Sequence, residues 1–267
     1  MTLHILVLLR MVPDVVEELN LAADGRALAP ESVRMILNES DDHALEQALL
    51  LKESHGGTVT VLALEAEGVD DALVVALAKG ADEAIKITDT EGHVSTRHAA
   101  SILAQVIEQE PGLRAADLIL TGVQAPGDLD APLSPVLARR LRLPHLGVVS
   151  RLYLDCPGRV VTAIREYPGG MRGEFEVGLP AVFGIQAAEK PPRCVPLAGL
   201  CAAMKGQRIR CIPSAVAAER GAPQPRIVEM RRPRPPGHAE MLTGSHEMVS
   251  LRLREILKAR GLLRGGP

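Results

Sequence analysis

The 267-residue sequence predicts an α/β fold, a doubly wound, mostly parallel sheet with added β-hairpins and an extended C-terminal arm. Three observations lead there. Through residue 141, short β-rich runs alternate with stretches of helical period, and strands separated by helices pair in parallel through right-handed crossovers. Between residues 147 and 186, four apolar runs succeed one another with only turns between them, a pattern of hairpins. From residue 191 onward the composition shifts: this segment holds 14 Lys/Arg against 5 Asp/Glu and 10 of the 20 prolines, leaving 16 Lys/Arg against 28 Asp/Glu for residues 1–190. A boundary is therefore expected near Pro191.

The first apolar run, "LHILVLL" (residues 3–9), is too short for a membrane span and lacks the basic start and small-residue cleavage site of a secretory signal, so it reads as a buried strand of a cytoplasmic protein. Pro13 turns the chain and Asp14 caps the next segment. A helix is expected over residues 41–54, stopped by Gly56 and Gly57, then the strand "TVTVLAL" (58–64). A helix over 70–79 stops at Gly80 and leads to "EAIKIT" (83–88); one over 96–109 stops at Pro111-Gly112 and leads to "DLILTG" (117–122). A loop carrying Asp128 and Asp130 precedes a helix from about Pro132 to Leu141. "GVVSRLYLD", "RVVTAIREY", "RGEFEVGL" and "AVFGIQ" then read as a meander, with turns at Cys156-Pro157-Gly158 and Pro168-Gly169-Gly170. Beyond Lys190 no long period survives until residues 250–263, an amphipathic helix. A structureless segment of that length is disordered or wrapped around something.

Composition excludes several classes. Only Tyr153, Tyr167, Phe175 and Phe183 are aromatic, and none lies in the basic tail, so the tail has no platform for stacking bases and suits an acidic protein surface better than nucleic acid. Cys156, Cys194, Cys201 and Cys211 form no C-x-x-C pair and read as reduced thiols, with no metal site. No H-x-x-x-H pair is backed by a carboxylate, and no G-x-S-x-G elbow, Walker loop or G-x-G-x-x-G after the first strand occurs, which disfavours hydride and phosphoryl transfer by the common motifs. His93, Ser95 and His98 read as polar residues of a helix start. What remains are strand ends: "RMVPD" (10–14), "LEAEG" (64–68) and the loop after Gly122. In a doubly wound sheet these ends meet at one crevice, which either binds a nucleotide against a helix N-terminus or is a loop that closes the fold.

Several segments together resemble the β subunit of the electron transfer flavoproteins. Arg10 to Asp14 looks like the family's opening "K-x-V-P-D" turn. "NESDDHALEQALLLKE" (38–53) is similar to its "N-x-x-D-x-x-A-L-E-x-A-L-x-L-K-E" helix, "ALAKGADEAIKI" (76–87) to "A-L-A-M-G-A-D-R-A-I", and "DLILTGVQA" (117–125) to "D-L-V-L-L-G-K-Q-A". "REYPGGMRGEFEVGLPAVFGI" (165–185) resembles "R-E-x-D-G-G-x-E-x-x-x-x-x-L-P-A-V". The match runs in order from about residue 3 to 200.

The resemblance implies a fold of the adenine-nucleotide-binding type and an electron carrier rather than an enzyme. It would be one half of a heterodimer whose α subunit holds most of the FAD, carrying electrons from dehydrogenase donors to an acceptor. The family buries an AMP, and the corresponding positions here are Leu8, Asn38, Asp41, Ala63, Gly122, Gln124, Asp128, Asp130, Leu133 and Ser134. The basic, proline-rich arm (191–267) would wrap around the α subunit, and "PPRCVPLAGL" (191–200) resembles the family's partner-recognition loop, placing partner contacts at Arg193 and the anchoring Leu197, with the family's tyrosine replaced by Cys194. The nucleotide loop departs from the pattern. Pro132, Leu133 and Ser134 stand for Gln, Thr or Val, and Gly; Leu8 stands for a small residue; Glu65 stands for a glycine. Proline donates no N–H and leucine offers a phosphate nothing, so AMP binding is expected to be weak or absent. Two other readings stay open: a structural or regulatory paralogue that binds no nucleotide, and a stand-alone adenine-nucleotide binder of the universal-stress type.

Overall fold

The computed structural model describes residues 3–90, 95–129, 131–155, 159–206, 209–214, 227–233, 237 and 239–263. The chain divides into two compact units, Met1–Glu229 and Met230–Pro267. In chain order the first contains β1 (His4–Leu9), β2 (Met11–Pro13), β3 (Met35–Leu37), α1 (Glu39–His55), β4 (Thr58–Leu64), α2 (Val69–Lys79), β5 (Glu83–Thr88), α3 (Thr96–Gln109), α4 (Pro111–Arg114), β6 (Leu118–Gly122) and α5 (Leu133–Leu141). It continues with β7 (His145–Asp155), β8 (Val160–Tyr167), β9 (Met171–Gly178), β10 (Ala181–Ile185), α6 (Leu197–Gly206) and β11 (Arg210–Pro213). The second unit holds α7 (His246–Ala259).

The main sheet has nine strands in the order β11-β5-β4-β1-β6-β10-β7-β8-β9. Pairing is parallel from β11 to β7 and antiparallel from β7 to β9, so the predicted doubly wound class holds. Successive side chains of a strand point to opposite faces, and β1 shows it: Ile5, Val7 and Leu9 pack with α1 and α2 on one face, while Leu6 and Leu8 pack with α3 and α5 on the other. Burying each such side chain contributes about 1.5–3 kcal/mol. One backbone approach admits only glycine. Gly57 has φ +114°, and a Cβ there would collide with the Leu3 carbonyl just as the chain enters β4.

Three features differ from the sequence-based expectation. First, β10 does not continue the meander; it lies between β6 and β7, with Leu118 opposite Ala181 and Val182 opposite His145. All five β10 residues are buried, as a central parallel strand covered on both faces requires, whereas β8 and β9 keep partly exposed residues along their length. Second, the segment after residue 190 is not uniformly extended. Helix α6 packs Ala203 into the α1/α2 face of the core, and β11 extends the sheet beside β5, pairing Cys211 with Lys86. The first compact unit thus runs past the expected boundary at 191 to Glu229. Third, α7 begins four residues earlier than expected because Ser245 caps it, its Oγ accepting from the Met248 N–H at 3.3 Å. The expected helix start at 93–98 holds where it is described: the Ser95 Oγ accepts from His98 N–H. His93, Asp130 and the turn at Cys156 to Gly158 lie outside the described residues.

Candidate functional site

The strand order reverses at β1, which has β4 on one side and β6 on the other, so the crevice of a doubly wound sheet opens beyond Leu9 and Gly122. A charged cluster fills its floor. Asp41, in the first turn of α1 and fully buried, accepts hydrogen bonds from Gly122 N–H (2.7 Å), from Arg10 N–H (3.0 Å) and from Arg10 Nε (3.2 Å). The other end of the guanidinium donates from one nitrogen to both oxygens of Asp128, each at 2.9 Å. Asp128 also accepts from the Thr96 hydroxyl (2.9 Å) and the Ala125 N–H (2.8 Å), which ties the loop after β6 to the start of α3. Gly122 is obligatory here, since a Cβ would fall on the Asp41 carboxylate.

The electrostatics reflect two acids sharing one base in a dry site. Burial by itself would lower the Arg10 pKa, but Asp41 and Asp128 outweigh it and hold the guanidinium above its usual value. Complete burial pushes the Asp41 carboxyl up, against the pull of Arg10, Asn38 and Gly122. Beside the cluster, the Asn38 amide (3.1 Å) and Ser40 hydroxyl (2.9 Å) donate to the Gln124 carbonyl, on the wall of a cleft of about 480 Å³ that also includes His43, Pro126 and Gln186.

The remaining expected nucleotide positions have different surroundings. Leu8 is 1% exposed and packs on the α3/α5 face, whereas Ala63 packs on the opposite face against α1 and α2. Pro132 is the N-cap of α5 and makes no side-chain cap bond. Leu133 is 1% exposed, turned into the same core as Leu8. The Ser134 hydroxyl lies 3.0 Å from His145 Nε2 and against Gly184, so its partner is within the fold. Burial, reinforced by the charge of Arg165, lowers the His145 pKa. Glu65 is exposed at the end of β4, where water screens its carboxylate.

The two expected partner-binding residues differ in their surroundings. Leu197 opens α6 with 76% of its surface exposed. Arg193 is engaged within the chain: its guanidinium donates to Glu46 (2.8–3.1 Å) and to Glu53 (2.6 Å), and its N–H donates to Glu46 at 3.0 Å. The residues before it are held along α1 as well, with Ala188 N–H on His43 Nδ1 and Glu189 N–H on the Gln47 amide oxygen, both at 3.2 Å. Burial favours neutral Glu46, yet the hydrogen bonds from Arg193 outweigh it and hold the carboxyl below its ordinary value of 4.5. A depressed carboxyl stabilises the fold fully above that ordinary value, and this contribution disappears as pH falls through the lower folded-state value.

Sequence reasoning placed Arg10 at the crevice only as part of the strand end 10–14, without a role, and left Thr96 and Glu46 out of the site. A signal for two of them was present. Arg10 ends an apolar strand, and Glu46 and Gln47 interrupt the apolar run of α1, and a charge in such a place needs a partner; which partner is a matter of long-range packing.

A family model described as "Electron transfer flavoprotein domain" matches residues 26–221. The chain is 32% identical over 201 residues to the electron transfer flavoprotein subunit beta of Methylophilus methylotrophus, covering 74% of this chain and 75% of that one. It is 32% identical over 175 residues to Protein FixA of Azorhizobium caulinodans, covering 64% and 61% respectively. It is 34% identical over 154 residues to the electron transfer flavoprotein subunit beta of Clostridium acetobutylicum, covering 57% and 58%. Against the latter two, the alignment spans less than two thirds of the relative's length.

Proposed function

The chain belongs to the electron transfer flavoprotein β-subunit family, and from that premise we propose that it is the β-like half of a cytoplasmic heterodimer, an electron carrier rather than an enzyme. Its α partner holds the FAD, and the pair passes electrons from dehydrogenases to an acceptor. The observation that carries this reading is the in-order family match over residues 26–221, on a sheet whose switch point lies at β1 and β6. Among the described residues no helix is long and apolar enough to cross a membrane, and no group of His, Cys, Asp or Glu is arranged to hold a metal. Helix α7 has no buried residue and exposes Met248, Leu251 and Leu253, which supports a role for the second unit in packing on the α subunit.

AMP does not fit the residues present. A phosphate at a helix N-terminus is held by N–H and side-chain donors. Here α5 begins at a proline without an N–H, its first helical side chain is turned into the core, and the next hydroxyl pairs with His145. Arg10, the cation at the crevice, is already engaged by two carboxylates. The loop after β6 is held by protein groups, Arg10, Thr96 and the Ala125 N–H on Asp128, and in this reading the flavin belongs to the partner.

The test is co-purification with the neighbouring α-like subunit. A carrier gives a heterodimer with a flavin spectrum that bleaches when a donor dehydrogenase is added. A stable but colourless heterodimer would instead support the structural-paralogue reading. Two further outcomes are expected. Amides of α7 exchange more slowly in the heterodimer than in the isolated chain; equal exchange would argue against the docking of the second unit. Leu197→Ala slows reduction by the dehydrogenase about fivefold, the effect of about 1 kcal/mol at an exposed contact residue, with heterodimer affinity unchanged. Unaltered reduction with every donor that works on the wild type would exclude Leu197 as a docking residue.

A further inference from the structure

We infer that Arg193 is a positioning residue that clasps the segment before α6 onto α1 and thereby sets how Leu197 is presented. The inference rests on the reading of Leu197 as a docking residue. After β10 the chain turns back along α1 and meets it at three successive sites: Ala188 on His43, Glu189 on Gln47, and Arg193 on Glu46 and Glu53. These acceptors form one stripe along α1, at spacings that share a helix face. Glu46 and Gln47 are themselves buried, with 3% and 2% of their surfaces exposed, so the middle of the stripe is shielded from water, whereas Glu53 at its end stays exposed.

Arg193 closes the strap. Its Nε and one terminal nitrogen grip the Glu46 carboxylate side by side, the other nitrogen reaches Glu53, and the backbone N–H adds a further bond to Glu46. Forked guanidinium–carboxylate pairing fixes direction as well as distance. Four residues later Leu197 projects from the first turn of α6, whose own anchor is Ala203 in the core. The loop carrying the exposed leucine is therefore pinned at both ends, by an ion pair on α1 and by an apolar contact of α6. A docking loop ordered in advance loses less conformational freedom on binding. The arginine contributes through the leucine and not through a contact of its own with the partner.

The experiment uses the full heterodimer with Arg193→Gln, Arg193→Lys, Glu53→Gln, Leu197→Ala and the Leu197→Ala/Arg193→Gln pair. Two readouts are taken: hydrogen exchange without any dehydrogenase, and reduction by a flavin-dependent dehydrogenase chosen because it reduces the wild-type heterodimer. Arg193→Gln should speed exchange of residues 188–196 by about tenfold while the β4 and β1 amides are unchanged. It should raise KM for the dehydrogenase about threefold, more than it lowers kcat. Arg193→Lys recovers part of both effects, and Glu53→Gln gives a smaller change in the same direction. In the double variant KM is no higher than in Leu197→Ala alone, because coupled residues do not add. Unchanged exchange in Arg193→Gln overturns the clasp. Fast exchange with unaltered KM, or a double variant in which the two effects add, overturns the positioning role. An unaltered KM in Leu197→Ala with fast exchange in Arg193→Gln sinks the docking reading and leaves the clasp standing.

Discussion

Asp41→Ala is expected to lower the stability of the chain by about 3–5 kcal/mol, the usual cost of removing one partner from a buried ion pair. The carboxylate is fully buried and accepts from the Gly122 N–H, the Arg10 N–H, the Arg10 Nε and, at 3.4 Å, an Arg10 terminal nitrogen. Without it, two backbone N–H groups at the ends of adjacent central strands lose their acceptor, and each unsatisfied buried donor costs about 1–3 kcal/mol. Asp128 still neutralises the other side of the guanidinium, so Arg10 is not stranded, and the loss stays within that range. Asp128→Asn should cost less, because its amide oxygen keeps one of the two donors, the Thr96 hydroxyl or the Ala125 N–H, which bind different carboxylate oxygens, and Arg10 keeps Asp41. Denaturant midpoints of the two variants decide the matter. A loss below about 1 kcal/mol for Asp41→Ala would mean that water replaces the carboxylate and that the cluster does not hold the crevice shut.

Acid extraction of the purified heterodimer, followed by nucleotide analysis, is expected to release FAD but no stoichiometric AMP. Family members are expected to hold the phosphate with donors at the helix start, two of which are missing here at Pro132 and Leu133. If each charge-assisted hydrogen bond is worth about 1.5–3 kcal/mol, losing two weakens binding by about a hundredfold or more. Leu8 adds a steric obstacle: it is buried in the same α3/α5 core as Leu133, and admitting an adenine would require it to move. Added AMP at millimolar concentration should therefore leave the melting temperature unchanged, since a ligand stabilises only in proportion to its occupancy of the folded state. Stoichiometric AMP in the extract would show that the backbone of residues 127–134 binds phosphate without the family's side chains.

The family's segment order and most element positions were legible in the residues. The runs 58–64, 83–88 and 96–109 coincide with β4, β5 and α3 to the residue, because apolar period and glycine stops are local properties that burial enforces. The crevice was legible too, since parallel strands must end together where the order reverses. Partnership was not. That "AVFGI" inserts between β6 and β7, that residues 210–213 close the sheet beside β5, and that Arg193 grips Glu46 on α1 are choices between segments distant in sequence. The same limit hid the site's chemistry: the resemblance placed Asp41 and Asp128 among the nucleotide positions, but only the packed sheet puts Arg10 between them. By itself the sequence determined which faces of its segments are apolar and where the chain turns, both local properties readable within a window of about twenty positions, and, through the order of its segments, which family it resembles. The tertiary structure alone decided which buried charge meets which, because a period reports that a side chain faces inward and carries no information about what stands opposite it.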